Sequence, residues 1–323
     1  MIITKAPLRT SFAGGGTDLR AFYCSETGSV TSTAIDKFVY VALHRHFDNK
    51  ILLKYSHTEL VDDVNEIKNE LFRECLRYMN ITKGIEITSM ADMPVKTGLG
   101  GSESFAVALL HALHAFKGEH VSQEQLAMEA CHISIEVLKR PIGKQDQYAA
   151  AYGGLNHIEF HPDESVRVLP LVCKPEVLRK LNDSLLMFYT GITRSATDIL
   201  SEQKEKTEDK RETLRKMKKL SEDVRDSLIS GDLEGFAAAL HNGWMEKRKV
   251  TGKISNNFVD ECYENAMQAG AKGGKLLGAG GGGFLLFYCD KEKQDRLRNA
   301  LQELKEVSFN LERQGSRIKY VGD

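Results

Sequence analysis

Three short stretches of this chain hold residue types suited to handling a phosphate and a hydroxyl proton. The most specific is Pro94-Val95-Lys96-Thr97-Gly98-Leu99-Gly100-Gly101-Ser102-Glu103-Ser104, between a strand-like run and a helical one. Successive backbone N–H groups at a glycine turn, aimed by a helix N-terminus, form a nest for phosphate oxygens. No Gly-Lys-Ser/Thr ends the stretch, so it is not a Walker A loop, and a Rossmann fingerprint would need a third glycine. A helix capped by Ser102 or Ser104 after a flexible turn would read the same way. The second stretch, Ala6 to Leu19, sets Arg9 and Asp18 on either side of Gly14-Gly15-Gly16, with Thr17 beside the acid. It could equally be a strand, a glycine turn and an Asp cap. In the third, Gly143-Lys144-Gln145-Asp146-Gln147-Tyr148, the aspartate either caps the next helix or acts as a base that accepts a hydroxyl proton.

Near the C-terminus a further glycine-rich run, Gly273 to Gly283, precedes the strand-like Phe284-Leu285-Leu286-Phe287-Tyr288. Glycine is entropically costly, so this density implies backbone that approaches something closely.

The elements that must position these stretches follow from periodicity. Phe38 to Leu43 suits a strand, and Gly84 to Ser89 alternates as one. Val64, Ile67, Leu71, Cys75 and Tyr78 recur three or four apart, which predicts one helix over 62–78. Phe105, Leu109, Ala112, Leu113 and Phe116 line a second helix, and a third runs from Ser122, its N-cap, to about Leu138. Residues 197–249 are dominated by charged side chains around the sparse stripe Ile199, Leu200, Leu214, Met217, Leu220, Val224 and Leu228, which predicts a pair of long, solvent-facing helices. A strand at 284–288, a helix over 291–304 and a closing strand around 307–311 complete the pattern. With 323 residues, two domains with a cleft between them are expected, divided as 1–172 and 173–323.

Composition narrows the partners. The formal net charge of -1 gives no basic footprint for nucleic acid, so an anion must be met by a few placed groups. The six cysteines are scattered without a C-x-x-C pair, which suggests neither a zinc site nor a disulfide framework and fits a reducing cytoplasm. The N-terminus runs straight into a motif with no apolar signal region, and no stretch is long enough to span a bilayer, so no membrane partner is expected.

Together the three stretches and the late glycine run resemble the GHMP small-molecule kinases, whose hallmarks are an A-P-x-R/K loop, a P-x-x-x-G-L-G-S-S phosphate loop and a late G-A-G-G-G turn in that order. The resemblance implies an α+β fold, with an N-terminal domain like ribosomal protein S5 domain 2 and a ferredoxin-like C-terminal domain. It implies ATP and Mg²⁺ as cofactors. Gly98, Leu99, Gly100, Gly101, Ser102, Glu103 and Ser104 would cradle the nucleotide phosphates, and Ser102 would meet the metal. Asp146 would take the proton of the attacking hydroxyl, with Arg9 close by to hold it ionised and steady the developing charge. Gly15, Gly16, Thr17 and Asp18 would hold substrate hydroxyls, with Gly280 and Gly281 as the opposite wall.

Two departures stand out. One serine of the phosphate loop is lost and Glu103 sits near the incoming phosphates, which is unfavourable unless it turns away or helps to hold Mg²⁺. The metal-binding Glu that many sugar-kinase relatives carry twelve residues before the aspartate is Ser134 here; Glu136 is the candidate substitute. Within the family the motifs look like the branch that phosphorylates the anomeric hydroxyl of a heptose 7-phosphate. A sugar phosphate demands a second anion site away from ATP, for which Arg194 and Lys247 are the candidates. The rivals are a kinase of a neutral sugar and a non-catalytic sensor of ATP and sugar.

Overall fold

The computed structural model describes residues 1–94, 96–193 and 196–322. Its first sheet grows from two long strands, β1 (Ile2–Ala13) and β2 (Gly28–Arg45), joined through the glycine loop and the short helix α1 (Arg20–Tyr23). They pair antiparallel from Ile2 opposite Leu43 to Ala13 opposite Thr31. A hairpin of β3 (Ile51–Lys54) and β4 (Thr58–Val61) follows, then helix α2 (Glu70–Tyr78) and strand β5 (Ile85–Ala91). Helices α3 (Gly101–Lys117), α4 (Gln123–Cys131) and α5 (Gln145–Tyr152) lead to β6 (Leu155–Phe160) and β7 (Val166–Pro170).

Strand β2 is long enough to serve three neighbours. Its residues 39–45 pair with β5, its residues 28–33 pair with β6, and β1 runs along the other side. β3 joins β5 in parallel. Inward residues such as Val41, Leu43, Ile85 and Ile87 meet Leu109, Leu113, Leu126 and Ala130 from the helices in one apolar core. Burying each such side chain contributes about 1.5–3 kcal/mol.

The second half opens with α6 (Pro175–Ser184) and β8 (Leu185–Tyr189), then α7 (Ala196–Glu205), α8 (Arg211–Ser230), α9 (Leu233–Arg248) and α10 (Asn257–Ala269). Strands β9 (Ala271–Leu276) and β10 (Phe284–Cys289), helix α11 (Gln294–Ala300) and β11 (Lys305–Glu306) follow. The antiparallel sheet runs β11-β8-β10-β9. That strand order is the split arrangement expected of a ferredoxin-like unit. A further core joins the halves: Leu8, Phe12, Ile35 and Leu99 pack with Phe236, Leu240, Leu277 and Phe284, and the Phe12 and Phe236 rings meet edge to face at 5.1 Å.

Several expected elements change shape. The helix over 62–78 is interrupted: a single 3₁₀ turn at Val64–Glu66 stops, and α2 restarts at Asn69, whose side chain accepts from the N–H groups of Leu71 and Phe72. Ser122 caps α4 as expected, through Gln125 N, but the helix widens into a π-helical turn at His132–Val137. The charged region holds three helices rather than two, and α9 buries Phe236, Leu240, Trp244 and Lys247 instead of facing solvent. The expected strand at 307–311 shrinks to β11 and a single bridge between Ile35 and Leu311.

The expected division at 172 falls between β7 and α6. One strand crosses back over it: β12 (Arg317–Val321) pairs antiparallel with β1, placing Ile2 opposite Val321. Among the described residues no helix is long and apolar enough to cross a membrane.

Candidate active site

The centre of the site is a fork. Arg9, on β1, donates from Nε to Asp146 Oδ1 at 2.7 Å and from Nη2 to Oδ2 at 2.6 Å. Its remaining arm, Nη1, donates to Gly98 O at 2.6 Å. One guanidinium therefore binds the Ala6–Leu19 and Gly143–Tyr148 stretches to the phosphate loop. The arginine side chain is 5% exposed and the aspartate 18%, so the carboxylate keeps the open side. Bidentate pairs of this kind fix orientation as well as charge.

The phosphate loop fits against this fork because it lacks side chains. Gly100, the N-cap of α3, takes φ 75°, and a Cβ there would lie 3.2 Å from Asp146 Oδ2. Gly98 meets the late glycine run: a Cβ on Gly98 would lie 2.5 Å from Leu277 O, and one on Gly278 would lie 2.4 Å from Gly98 Cα. Backbone on backbone at that range admits only glycine. The N–H groups of Gly101 and Ser102, at the start of α3, have no acceptor among the described residues. They lie beside Asp146, where an anion would be met by both amides and the helix N-terminus.

Glu103 occupies the first turn of α3, and burial together with the nearby Asp146 pushes its carboxyl up to about 7. Ser102 is exposed at the loop's mouth. Ser104 is not a phosphate ligand: its hydroxyl is buried and donates to Pro7 O at 2.8 Å, tying α3 to β1. The Leu99 side chain is likewise core, although its carbonyl accepts from Arg9 N at 3.1 Å.

On the glycine loop after β1, Asp18 is buried and accepts from Gly16 N at 2.8 Å and Gln145 N at 3.3 Å. Burial, then the neighbouring Asp146, raises its pKa. Gly143 lies so close that a Cβ would collide with Asp18 Oδ2 at 1.9 Å. Thr17 does not offer its hydroxyl to a substrate, because Oγ1 donates toward Gly14 O and Ser29 O, both at 2.9 Å, and accepts from Ser29 N at 3.0 Å. Gly15 and Gly16 are buried, and Gln203 and Leu214 from the helical region cover Gly16.

Other expected contacts also move. Glu136 lies on the solvent side of the π-helical turn, 3.6 Å from Lys139, whereas Ser134 points inward; residues two apart do not share a helix face. Gly280 and Gly281 pack on the segment after α9, with Gly281 N donating to Ile254 O at 2.8 Å. Arg194 lies outside the described residues. Lys247 does not stand in a separate anion pocket: it is buried, donates to Gly278 O, and is close enough to Arg9, Asp18 and Asp146 to feel their charges.

Sequence reasoning missed Lys275. This β9 lysine is buried and donates to Ser11 O at 2.6 Å and Phe12 O at 3.3 Å, pinning the second half to the bulged end of β1. Burial holds its pKa well below the ordinary lysine value. A charged residue inside the otherwise glycine and leucine run Gly273 to Leu277 was the available signal. Glu164 was missed as well; it accepts from Arg20 Nε at 2.8 Å, Tyr23 OH at 2.8 Å and Lys144 Nζ at 2.6 Å, fixing the residue two before Asp146.

Among the described residues no cluster of three or more His, Cys, Asp or Glu side chains converges. Ser102 and Glu103 supply the side-chain oxygens in the first turn of α3.

A two-domain fold whose glycine loops converge on an Arg–Asp fork defines a small-molecule kinase, and the chain belongs to the GHMP kinases, which transfer phosphate from ATP to a hydroxyl. The family's "GHMP kinases N terminal domain" matches residues 64–154 and "GHMP kinases C terminal" matches 224–306. The chain is 30% identical to the D-glycero-alpha-D-manno-heptose 7-phosphate kinase of Campylobacter jejuni, over 94% of this chain and 93% of that one. It is 25% identical to the bifunctional fucokinase/GDP-fucose pyrophosphorylase of Arabidopsis thaliana, covering 93% of this chain but 31% of that protein. Among solved structures, a D-glycero-D-manno-heptose 1-phosphate kinase from Bacteroides thetaiotaomicron superposes over 100% of both chains with a TM-score of 0.83 at 24% identity.

Proposed function

We propose that this protein is a sugar kinase that transfers the γ-phosphoryl group of ATP to the anomeric hydroxyl of D-glycero-D-manno-heptose 7-phosphate, giving the 1,7-bisphosphate. The observation that carries it is the Arg9–Asp146 fork set beside the open N–H groups of Gly101 and Ser102. The similarity to the Campylobacter heptose 7-phosphate kinase along nearly the whole chain supports the choice of sugar.

In this mechanism the amides of Gly101 and Ser102 bind the nucleotide phosphates, and Asp18 orients the sugar. Asp146, aimed by Arg9, accepts the hydroxyl proton as the sugar oxygen bonds to the γ-phosphorus and the bond to the β-phosphate oxygen breaks, releasing ADP. Ser102 and Glu103 would hold Mg²⁺, which would offset the charge on the nucleotide. Phosphoryl transfer of this kind needs positioning and charge neutralisation more than covalent chemistry.

Purified protein with Mg-ATP and a panel of sugar phosphates, followed by phosphorus NMR, tests the reading: a new anomeric phosphate on the heptose 7-phosphate is expected, and transfer to none of the panel would overturn it. A neutral-sugar 1-kinase is the alternative that the fucokinase and Pyrococcus galactokinase similarities, at 25% and 23% identity, support. Stabilisation against heat by fucose or galactose rather than by the heptose phosphate would select it.

A further inference from the structure

Positive charge at the site is unevenly spent. Arg9 commits three of its five N–H donors, two to the Asp146 carboxylate and one to Gly98 O, and its charge is paired. Lys275 gives two of its three N–H groups to the carbonyls of Ser11 and Phe12. Lys144 is bound by Glu164. Lys247 differs from all of these, because among the described residues its ammonium has a single hydrogen-bond acceptor, Gly278 O, and no carboxylate within ion-pair distance. It is 7% exposed. A lysine ammonium carries three donors, so two remain uncommitted in a buried place where an unpaired charge is costly. Among the described residues its hydrogen-bond acceptor belongs to the glycine run that also touches Gly98 of the phosphate loop.

We propose that Lys247 is a catalytic cation, which meets the phosphoryl group during its passage from ATP to the sugar, rather than a ligand for the substrate's distant phosphate. This rests on the kinase reading above. The arriving anion supplies the partner the ammonium lacks, and charge placed in advance where negative charge develops needs no reorganisation during the reaction. The flanking cations are already directed elsewhere: Arg248 pairs with Asp260 at 2.9 Å and Lys249 with Glu246 at 2.6 Å.

The groups facing Lys247 are Arg9 from β1, Asp18 from the glycine loop, Asp146 from α5 and Lys275 from β9, with Gly278 O beside it. Burial, with Arg9 as the next cause, lowers its pKa to about 8, so the free enzyme loses this cation as pH rises through that value. A bound anion favours the charged form. The loss should therefore show in kcat/KM near pH 8 and at higher pH in kcat.

The test compares the full-length wild type with Lys247→Met and Lys247→Arg, each checked for native circular dichroism. Lys247→Met should lower kcat about 100-fold or more, as loss of one such donor does elsewhere, with both KM values changed less than about threefold. It should also lose the extra heat stability that aluminium fluoride confers on the Mg-ADP complex, a mimic of the phosphoryl group in flight. Lys247→Arg should keep part of kcat and lose the alkaline limb near pH 8, because guanidinium stays protonated there. A higher KM for the sugar phosphate with kcat intact would overturn the proposal, as would unchanged kcat and unchanged fluoride-dependent stability. Should Lys247→Met fail to fold, an alkaline limb that persists in Lys247→Arg overturns it alone. A wild type inactive on every sugar phosphate counts against the kinase reading instead, and the aluminium fluoride measurement still decides on Lys247.

Discussion

At the scale of single residues, the site separates groups that act from groups that hold. Asp146→Asn should cut kcat by several orders of magnitude while Mg-ATP still raises the melting temperature, because the phosphate amides lie on another element; near-normal turnover would remove the base role. Ser104→Ala should do the reverse. Its hydroxyl bonds Pro7 O in the core, so the change should cost about 1–2 kcal/mol of stability and leave the KM for ATP unchanged, as measured by urea unfolding beside initial rates. That Arg9, Asp18 and Asp146 come together was legible because each lies within a few residues of a glycine turn. The assignments that moved depended on rotamer and depth. Nothing in the order Gly-Thr-Asp says that the Thr17 hydroxyl is used up by Gly14 and Ser29, or that Ser104 turns inward while Ser102 turns out.

At the scale of elements, the two glycine loops behave as a pair of interlocked surfaces. A methyl group on Gly278 has Gly98 Cα within 2.4 Å and cannot be accommodated by a side-chain shift. Gly278→Ala should therefore push the phosphate loop from the Arg9 fork, raising the KM for ATP and lowering kcat more than it lowers the melting temperature; a lost fold with intact residual kinetics would argue for packing alone. Strand and helix positions followed from period-two and period-3.6 patterns, and so most elements were legible. The exceptions have local causes. Asn69 offers a better helix start than Asp62, and the π-helical turn after Cys131 leaves no mark in hydrophobic spacing.

Helix α8 also bears a polar joint: His157 Nδ1 lies 2.8 Å from Thr31 Oγ1, which donates to Ser221 O at 2.7 Å. Burial lowers the His157 pKa to about 4. Below an unfolded value of about 6.5 the unfolded chain takes up a proton that the folded one refuses, so this histidine weakens the fold as pH falls from 6.5 toward 4. His157→Gln should flatten the acid side of a melting temperature versus pH curve; an unchanged slope would mean that other groups dominate.

At the scale of the whole molecule, the halves share a core and trade a strand. The two-domain α+β architecture was legible from length and motif order, but the return of β12 to β1 was not, because pairing over such a separation has no local signature. Removing residues 317–322 should open the β1 edge and unhook the contact of His111 with Ser316, which lie 2.9 Å apart, lowering the melting temperature and promoting association through the bare strand. Size-exclusion chromatography of the shortened chain checks this, and a monomer of unchanged stability would show the strand to be dispensable.

The same strand sets a timetable for synthesis. Residues 2–5 leave the ribosome early, yet their partners at 317–321 are translated over 300 residues later. At typical elongation rates that is roughly 15 to 60 s during which the nascent first half stands with one edge unsatisfied. Such an edge is a template for mispairing with another nascent chain. The protein should thus depend on chaperones during translation more than its finished stability suggests, and a circular permutant that places residues 307–322 ahead of β1 should fold on the ribosome without that wait.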